Sequence, residues 1–312
     1  MKNSEHDIMV SPITYSNNVK LSKEYSLDFI VEQYQNKYLI DVRKFFLGNE
    51  KIIKYRCAES GFEFFYPNFE GDNDFYQALQ RDPYYYLPWK WEHEIVFSKI
   101  KENDEVLEFG CGQGFFLDKL KQSEINCCGV EKNLATIKEC QSRNHNVFKN
   151  IELLENAKDF RKFSVICSFQ VMEHVYDVRS LLEKMISFLA EDGRLFISVP
   201  NNDSFIKNDE KNILNLPPHH LGFWTEESLR NLEKFFDIQI KNFYYEPLPI
   251  NHVRYYYDVI IGRLLKKNNF IGRLMNVVLI LPACFVIYIF RKKIKGTTII
   301  AEYKLKKKDE KK

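Results

Sequence analysis

The 312-residue sequence predicts an α/β fold in which a mostly parallel sheet is covered by helices on both faces. Two observations support this prediction. From about residue 104 onward, short apolar runs alternate with segments whose apolar residues recur every three or four positions, as in successive strand–helix units. The first apolar run also ends in three closely spaced glycines, which suits a strand that turns tightly into a helix.

The chain before this pattern is predicted to form an α+β extension, residues 1–98, followed by the α/β domain at 99–312. The predicted elements of the extension are, in chain order, a loose leader at 1–20, a helical region at 21–50, a hairpin at 51–67 that turns at Ser60-Gly61, and an aromatic helix-like segment at 72–98. Trp89 and Trp91 in the last segment could form a lid over a site, although such aromatic clusters more often belong to a core.

The α/β domain is predicted to alternate strands and helices, with an apolar helical insert at 252–293 before its final strand. Strands are predicted near 105–109, 126–131, 146–149, 163–169, 193–199, 236–246 and 297–305. Helices are predicted at 114–122, at 133–144, at 177–190 up to a turn at Asp192-Gly193, and from an N-cap at Thr225 to about Phe236.

The glycine turn, VLEFGCGQG, differs from the fingerprint of dinucleotide-binding proteins. Its glycines are Gly110, Gly112 and Gly114, and Phe115 stands where that fingerprint has its third glycine. Glu108 lies just before the turn, at the carboxyl end of the strand, where it would repel an anionic pyrophosphate. The pattern therefore favours a ligand with a cationic group and no phosphate.

A second carboxylate, Glu131, ends the next strand 23 residues after Glu108. A carboxylate at this point can accept hydrogen bonds from both hydroxyls of a ribose that lies across the strand ends. Together, the two carboxylates and the glycine turn describe a nucleoside that carries a cationic amino-acid arm. S-adenosylmethionine fits this description.

At these residues the chain resembles the class I S-adenosylmethionine-dependent methyltransferases, and most closely their ubiquinone-type and sugar-methyltransferase branch. The resemblance covers about residues 104–245, including the stretch FSVICSFQVMEHV that begins at Phe163, and a final strand at 296–305. It implies a Rossmann-like, seven-stranded, mostly parallel sheet with an antiparallel last strand, and S-adenosylmethionine as the cofactor.

The resemblance also implies roles for individual residues. Those expected to border the methionine arm are Glu108, Gly110, Cys111, Gly112 and Gly114. Glu131 would hold the ribose, Lys132 would pack over the adenine edge, and Ser168-Phe169-Gln170 would contact the ligand at a strand end. The family often reads the adenine amino group with an Asp, and here the nearest candidates are Asn150 and Glu152.

The candidate catalytic residues are His219 and His220, in the segment NLPPHHLGFW. The two prolines favour an extended loop over the strand ends, and the resembling family often has a similar Pro-His-His stretch there. Either histidine could be a general base or position the acceptor, or it could hydrogen-bond the backbone and hold the loop. Glu173-His174 could also reach the site, although packing at a strand–helix junction is the more ordinary role.

Composition limits the partners and the cellular setting. The net charge of +2 includes a basic tail, so no basic face for nucleic acid is expected. The seven cysteines form no CxxC pair and no apolar leader precedes them, so a cytoplasmic protein with reduced thiols and no metal site is expected. Cys57 resembles the zinc-ribbon start of some sugar methyltransferases, but its partner cysteines are missing.

The apolar stretch LMNVVLILPACFVIYIF, residues 274–290, lies between basic residues. As a helix it would reach roughly 25 Å, less than the ~30 Å hydrocarbon core, and the flanking strands of one sheet would place both ends on the same side of a membrane. Attachment of residues 255–293 to a membrane surface, a buried insert and a dimer contact all stay open.

The predicted function is S-adenosylmethionine-dependent O-methylation of a sugar, a glycan or a related small molecule in cell-surface polysaccharide biosynthesis. The sugar assignment depends on family analogy. Alternatives are methylation of a quinone or lipid-linked acceptor, and a catalytically silent cofactor-binding protein at the inner face of the membrane. A nicotinamide oxidoreductase is disfavoured by Glu108 and Phe115.

Overall fold

The computed structural model describes residues 9–46, 48–79, 81, 87–157, 161–209, 211–266 and 269–307. Its strands are β1 Val19–Ser26, β2 Lys51–Cys57, β3 Glu63–Tyr66, β4 Glu105–Phe109, β5 Asn126–Val130, β6 Val147–Phe148, β7 Phe163–Phe169, β8 Leu189–Pro200, β9 Gly222–Phe223, β10 Ile238–Pro247 and β11 Lys295–Leu305. Its α-helices are α1 Leu27–Tyr38, α2 Asn73–Leu79, α3 Trp91–Phe97, α4 Phe115–Gln122, α5 Leu134–Ser142, α6 Ile151–Glu155, α7 Val178–Ser187, α8 Glu226–Asn231, α9 Val253–Tyr257, α10 Arg263–Lys266 and α11 Asn269–Phe290.

The central sheet has seven strands in the order β10-β11-β8-β7-β4-β5-β6. Strands β4 to β8 pair in parallel, and β11 runs antiparallel to both of its neighbours. This topology confirms the predicted Rossmann-like fold with an antiparallel last strand. The strand order reverses beside β4, so the carboxyl ends of β4, β5 and β7 open onto the crevice where such sheets bind ligands.

Both faces of this sheet are buried. Successive residues of a strand point to opposite faces, so the side chains of one strand enter two different apolar clusters. In β7, Ile166 belongs to one apolar cluster, and Val165 and Cys167 belong to the other. Parallel strands covered on both faces consist of nearly continuous apolar runs, which is why the sequence identified β4 and β7.

The structure corrects three predictions about local elements. Residues 19–26 form an edge strand paired with β2, although 21–26 were predicted to be helical and 19–20 to belong to the loose leader. The leader is not loose throughout, since Ile13 is fully buried in the main core. The Asp192-Gly193 pair lies within β8 instead of forming a turn before it.

A smaller antiparallel sheet, in the order β1-β2-β3-β9, ties the extension to the rest of the chain. Its last strand, β9, lies beyond residue 98 and follows the histidine-containing loop directly. The backbone N–H of Phe65 donates to the Leu221 carbonyl at 2.9 Å, and that of Leu221 donates to the Glu173 carbonyl at 2.8 Å. These bonds fix the histidine loop against the end of β7.

Candidate functional site

The glycine turn after β4 depends on glycine at specific positions. Gly110, Gly112 and Gly114 have φ angles of +73°, +48° and +73°, a region that side chains rarely adopt. A Cβ on Gly110 would lie 2.3 Å from Cγ2 of Val171, and one on Gly114 would lie 2.8 Å from Sγ of Cys140. The turn therefore favours glycine for its conformation at all three positions, and for space as well at Gly110 and Gly114.

Glu131 holds this turn from the neighbouring strand. Its carboxylate accepts hydrogen bonds from the backbone N–H of Gly112 at 2.9 Å and of Asn133 at 2.8 Å. The side chain is half-buried at the end of β5, so a ligand that lies across the strand ends can reach it. The structure thus brings together the two features that the sequence linked to a ribose and a methionine arm.

Glu108 is a buried carboxylate directly beneath the turn. It is 3% exposed, and its Oε2 has no hydrogen-bond partner among the described residues. Burial raises the pKa of this carboxyl well above its ordinary range, because the buried carboxylate loses its hydration. A cationic ligand group would offset the cost of ionising it, which makes this a site for a cation.

The other predicted ligand-contacting residues lie in different surroundings. Cys111 is buried below the turn, where a Cβ on Gly129 would meet its Sγ at 2.6 Å. Phe169 is packed in the core, and its ring centroid lies 4.9 Å from that of Phe116, so it supports the floor of the site. Lys132 has a side chain that is 87% exposed, and its Nζ lies 4.0 Å from Glu70.

Gln170 and Asn150 end the strands that flank the site. Gln170 has a φ of +55°, and its backbone N–H and side-chain amide donate to the carbonyl and hydroxyl of Ser198 at 2.9 and 3.2 Å. Asn150 is the N-cap of α6 and accepts from the backbone N–H of Leu153 at 3.0 Å. The Asn150 side-chain oxygen thus already accepts one hydrogen bond, and Gln170 lines a cleft beside the strand ends.

Sequence reasoning missed the contribution of α3 to this site. Glu92 and His93 are buried in the first turn of α3, and the ring centroid of His93 lies 4.7 Å from that of Phe169. Burial raises the pKa of Glu92, as it does for Glu108 and Glu173, and the Lys90 ammonium partly opposes each shift. The Lys90 ammonium thus lies close enough to act on all three buried carboxyl groups.

Trp89, the other predicted lid residue beside Trp91, lies next to the glycine turn. Its ring stacks on Phe116 at 6.0 Å, and its Nε1 donates to Glu94 at 3.0 Å. Trp91 is partly buried against the core cluster that contains Phe116. The structure thus places Trp89 at the rim and Trp91 in the packing beneath, and the lid itself stays a prediction.

The two candidate catalytic histidines, His219 and His220, form a cluster with His174, for which the sequence favoured packing at a strand–helix junction. A ring nitrogen of each of His174, His219 and His220 lies within 4.8 Å of those of the other two. The Nδ1 of His174 lies 2.6 Å from the His219 carbonyl oxygen, and that of His219 lies 2.7 Å from the Leu214 carbonyl oxygen. The Nδ1 of His220 lies 3.0 Å from the side-chain oxygen of Asn215. An imidazole that donates from Nδ1 keeps its Nε2 lone pair for a proton or a metal ion.

Burial keeps these imidazoles neutral. It lowers the pKa of His174 to about 4 and those of His219 and His220 well below the ordinary value. The adjacent Glu173 carboxyl is 1% exposed, has no hydrogen-bond partner for either oxygen among the described residues, and has its pKa raised by burial to about 8. The three imidazoles are therefore neutral and each keeps a nitrogen lone pair, while burial makes them weaker bases than a solvated histidine.

A cleft of about 520 Å³ opens beside Gln170 and His220. Most of the residues that line it have polar side chains, although apolar atoms make up the larger part of its surface. The polar residues come from several separate parts of the chain. They include Lys37 of α1, Asn212 and Asn215 of the histidine loop, Tyr255 of α9, and Thr297 and Thr298 of β11. Gln170 directly follows β7, the neighbour of β4, so the cleft lies at the carboxyl end of a strand beside the one that carries the glycine turn.

Comparisons with known proteins point to one family. A family model described as "Methyltransferase domain" matches residues 85–270. The chain is similar to a probable S-adenosylmethionine-dependent methyltransferase of Mycolicibacterium smegmatis, at 26% identity over 38% of this chain and 47% of that protein. It is also similar to a ubiquinone biosynthesis O-methyltransferase of Pelagibacter ubique, at 26% identity over 33% of this chain and 45% of that protein.

Further matches extend over more of the chain. An uncharacterized protein of Methanocaldococcus jannaschii is 27% identical over 63% of this chain and 51% of its own length. The chain thus spans about half the length of these three curated relatives. Among solved structures, the 1,6-didemethyltoxoflavin-N1-methyltransferase of Burkholderia thailandensis aligns at 12% identity and a TM-score of 0.47, over 75% of this chain and 86% of that one.

Proposed function

This chain belongs to the methyltransferase domain family, and we propose that it transfers a methyl group from S-adenosylmethionine to a hydroxyl of a sugar, a glycan or a related polar small molecule. The observation that carries the proposal is Glu108, a buried carboxyl with an unpartnered oxygen, beneath a glycine turn that Glu131 holds in place. Such a site suits a ligand that carries positive charge and a ribose but no phosphate.

S-adenosylmethionine supplies the methyl group as an electrophile that already carries positive charge on sulfur. The protein's task is to align donor and acceptor and to exclude water. Glu131 would receive the ribose hydroxyls, and Glu108 would ionise and stabilise the cationic end of the ligand. Phe169 and His93 would keep the floor of the site dry.

His220 is the residue we assign to the acceptor. It lines the cleft, and its Nδ1 is oriented by the Asn215 side chain. A neutral imidazole in this orientation can accept the proton that an acceptor hydroxyl loses as its oxygen bonds to the methyl carbon. His219 instead packs against Phe75 and contacts the Leu214 carbonyl, which suits a residue that holds the loop.

The polar side chains that line the cleft support a polar acceptor. Lys37, Asp209, Lys211 and several amide side chains line it, so hydroxyl and phosphate groups would find partners there. A lipid-linked acceptor is the second candidate, because Tyr255 and His252 connect the cleft to the apolar helical insert. In that case the polar head of the lipid would enter the cleft.

The test separates cofactor binding from transfer. Purified protein, with His220→Asn and His219→Asn variants, is incubated with methyl-labelled S-adenosylmethionine and a cell extract that is then divided into saccharide and lipid fractions. We expect label in the saccharide fraction, and loss of at least tenfold of the rate in the His220 variant with cofactor binding unchanged. Label confined to the lipid fraction would support the second candidate, and normal binding without any label would contradict methyl transfer.

A further inference from the structure

The helical insert between β10 and β11 presents an apolar surface to solvent. Met275–Lys293 is long and apolar enough to cross a membrane by length and composition, yet only 6% of that stretch is buried. The most exposed side chains include Leu281 at 79% and Phe285 at 64%. Further side chains of α11 that are more than half exposed are Val277, Val278, Val286, Ile289 and Phe290. An unpartnered apolar face of this size is a contact surface.

The sheet excludes a single crossing of a membrane by this helix. Strands β10 and β11 are antiparallel neighbours, and Pro247 pairs with Lys295 where one strand leaves the sheet and the other enters it. Both ends of the insert therefore lie at one edge of the sheet. The insert as a whole must therefore fold back on itself or lie along a surface.

One face of α11 is anchored to the rest of the insert. The Tyr257 hydroxyl contacts the side-chain oxygen of Asn276 at 3.0 Å, and Ile287 is buried in a cluster with Phe205 and Val253. The face that packs on α9 thus differs from the face that carries Leu281 and Phe285. The helix is therefore apolar on both faces, one packed in the cluster with Phe205 and Val253 and the other exposed.

The charge of the insert identifies what covers the exposed face. Between residues 263 and 295 the sequence has no Asp or Glu, and its cations stand at both ends of the apolar stretch: Arg263, Lys266, Lys267 and Arg273 before it, and Arg291, Lys292, Lys293 and Lys295 after it. Cations at both ends of an apolar helix match the phosphate layer of an anionic bilayer, with the apolar face in the acyl region. A second copy of this chain would bring the two basic sets together and be repelled.

We propose that the insert, residues 253–293, docks this protein on an anionic membrane, with α11 lying in the plane of the interface. The docking goes beyond methyl transfer and does not depend on it. Because Tyr255 lines the cleft, docking would also place the mouth of the cleft near the headgroup layer. Each basic residue near such a surface contributes about 1 kcal/mol of binding, or roughly a fivefold change in partition.

Co-sedimentation of the full-length chain with vesicles tests the proposal. The vesicles contain phosphatidylcholine alone or phosphatidylcholine with phosphatidylglycerol. We expect binding to the anionic vesicles that weakens at high salt, with a loss of at least tenfold in Leu281→Gln/Phe285→Gln and in Lys292→Gln/Lys293→Gln. The matched control is Leu21→Gln/Leu153→Gln, which alters leucines of 56% and 53% exposure on β1 and α6 and should bind as the parent does.

Other outcomes would overturn the proposal. Equal binding by the Leu281/Phe285 variant and its control would show that another surface contacts the lipid. Absence of binding to both kinds of vesicle, with a dimer that the Leu281/Phe285 substitutions dissociate, would assign the face to a second copy. Thermal melts of each variant confirm folding, and cofactor binding by calorimetry reports on the methyltransferase site independently.

Discussion

Replacing Glu131 by Gln should weaken S-adenosylmethionine binding without unfolding the protein. The carboxylate accepts from two backbone donors, the N–H groups of Gly112 and Asn133, at 2.9 and 2.8 Å. A glutamine amide has one acceptor oxygen and one NH₂ group, so it must turn a donor toward one of these N–H groups. The turn would then lose one of its two supports and the ribose would lose its anionic acceptor.

The expected size of the effect follows from the bonds that are lost. A hydrogen bond to a charged group contributes about 1.5–3 kcal/mol, and part of that is already spent on the turn in the free protein. A net loss of about 2 kcal/mol of binding free energy corresponds to a roughly 30-fold larger dissociation constant. The same substitution at Glu105, at the opposite end of β4, where it accepts from Asn126 at 3.1 Å, is the matched control.

Isothermal titration with S-adenosylmethionine and its demethylated product measures the effect, and thermal melts show that both variants are folded. We expect the Glu131 variant to bind both ligands about 30-fold more weakly and the Glu105 variant to bind them like the parent. Unchanged affinity in the Glu131 variant would refute the assignment of the ribose to this carboxylate. Equal losses in both variants would point to a general destabilisation of the sheet.

Three further predictions concern the same site. Gly110→Ala should lower the free energy of unfolding by about 2–5 kcal/mol, because the backbone is left-handed there and the new Cβ would clash with Val171. Gly48→Ala is the control: its φ is +82° but no atom lies within 4 Å of the new Cβ, so the loss should be only about 1–2 kcal/mol. Equal losses in urea unfolding would contradict the close approach of Val171 to Gly110. Burial raises the pKa of Glu173 from 4.5 to about 8, so between these pH values the folded state binds more protons than the unfolded state. The free energy of unfolding should therefore fall as the pH rises from about 4.5 to about 8. Glu173→Gln should therefore gain stability over the parent by up to about 1.4 kcal/mol per pH unit between pH 5 and 8, and parallel urea-unfolding profiles would contradict this. Lys132→Ala should change the S-adenosylmethionine affinity in fluorescence titrations by less than about threefold, because a solvated charge contributes little, and a larger loss would mean that the side chain folds over the adenine.

The central sheet could be predicted from the sequence because its strands are apolar on both faces. The bounds of β4 and β7 agree with the sequence patterns, because parallel strands buried on both faces are nearly continuous apolar runs. Strand β1 was misassigned because most of its side chains are at least partly exposed, so its alternation is weak. Its strand form comes from pairing with β2, which is a contact distant in sequence.

The candidate site divides in the same way. The glycine turn and Glu131 were predictable because the turn is local and its carboxylate ends the next strand. The approach of His174 to His219 was not, because it depends on the bond between the Leu221 N–H and the Glu173 carbonyl. Burial of Glu92 and His93 also depends on how α3 packs, although a Glu-His pair within an apolar helix was a signal that could have been used.

The most direct test of the account is a pair of calorimetric titrations of the purified full-length chain, one with S-adenosylmethionine and one with NAD. The electrostatics of Glu108 and the glycine turn predict saturable one-to-one binding of the sulfonium nucleoside and none of the pyrophosphate. Tight binding of NAD with no response to S-adenosylmethionine would contradict the account.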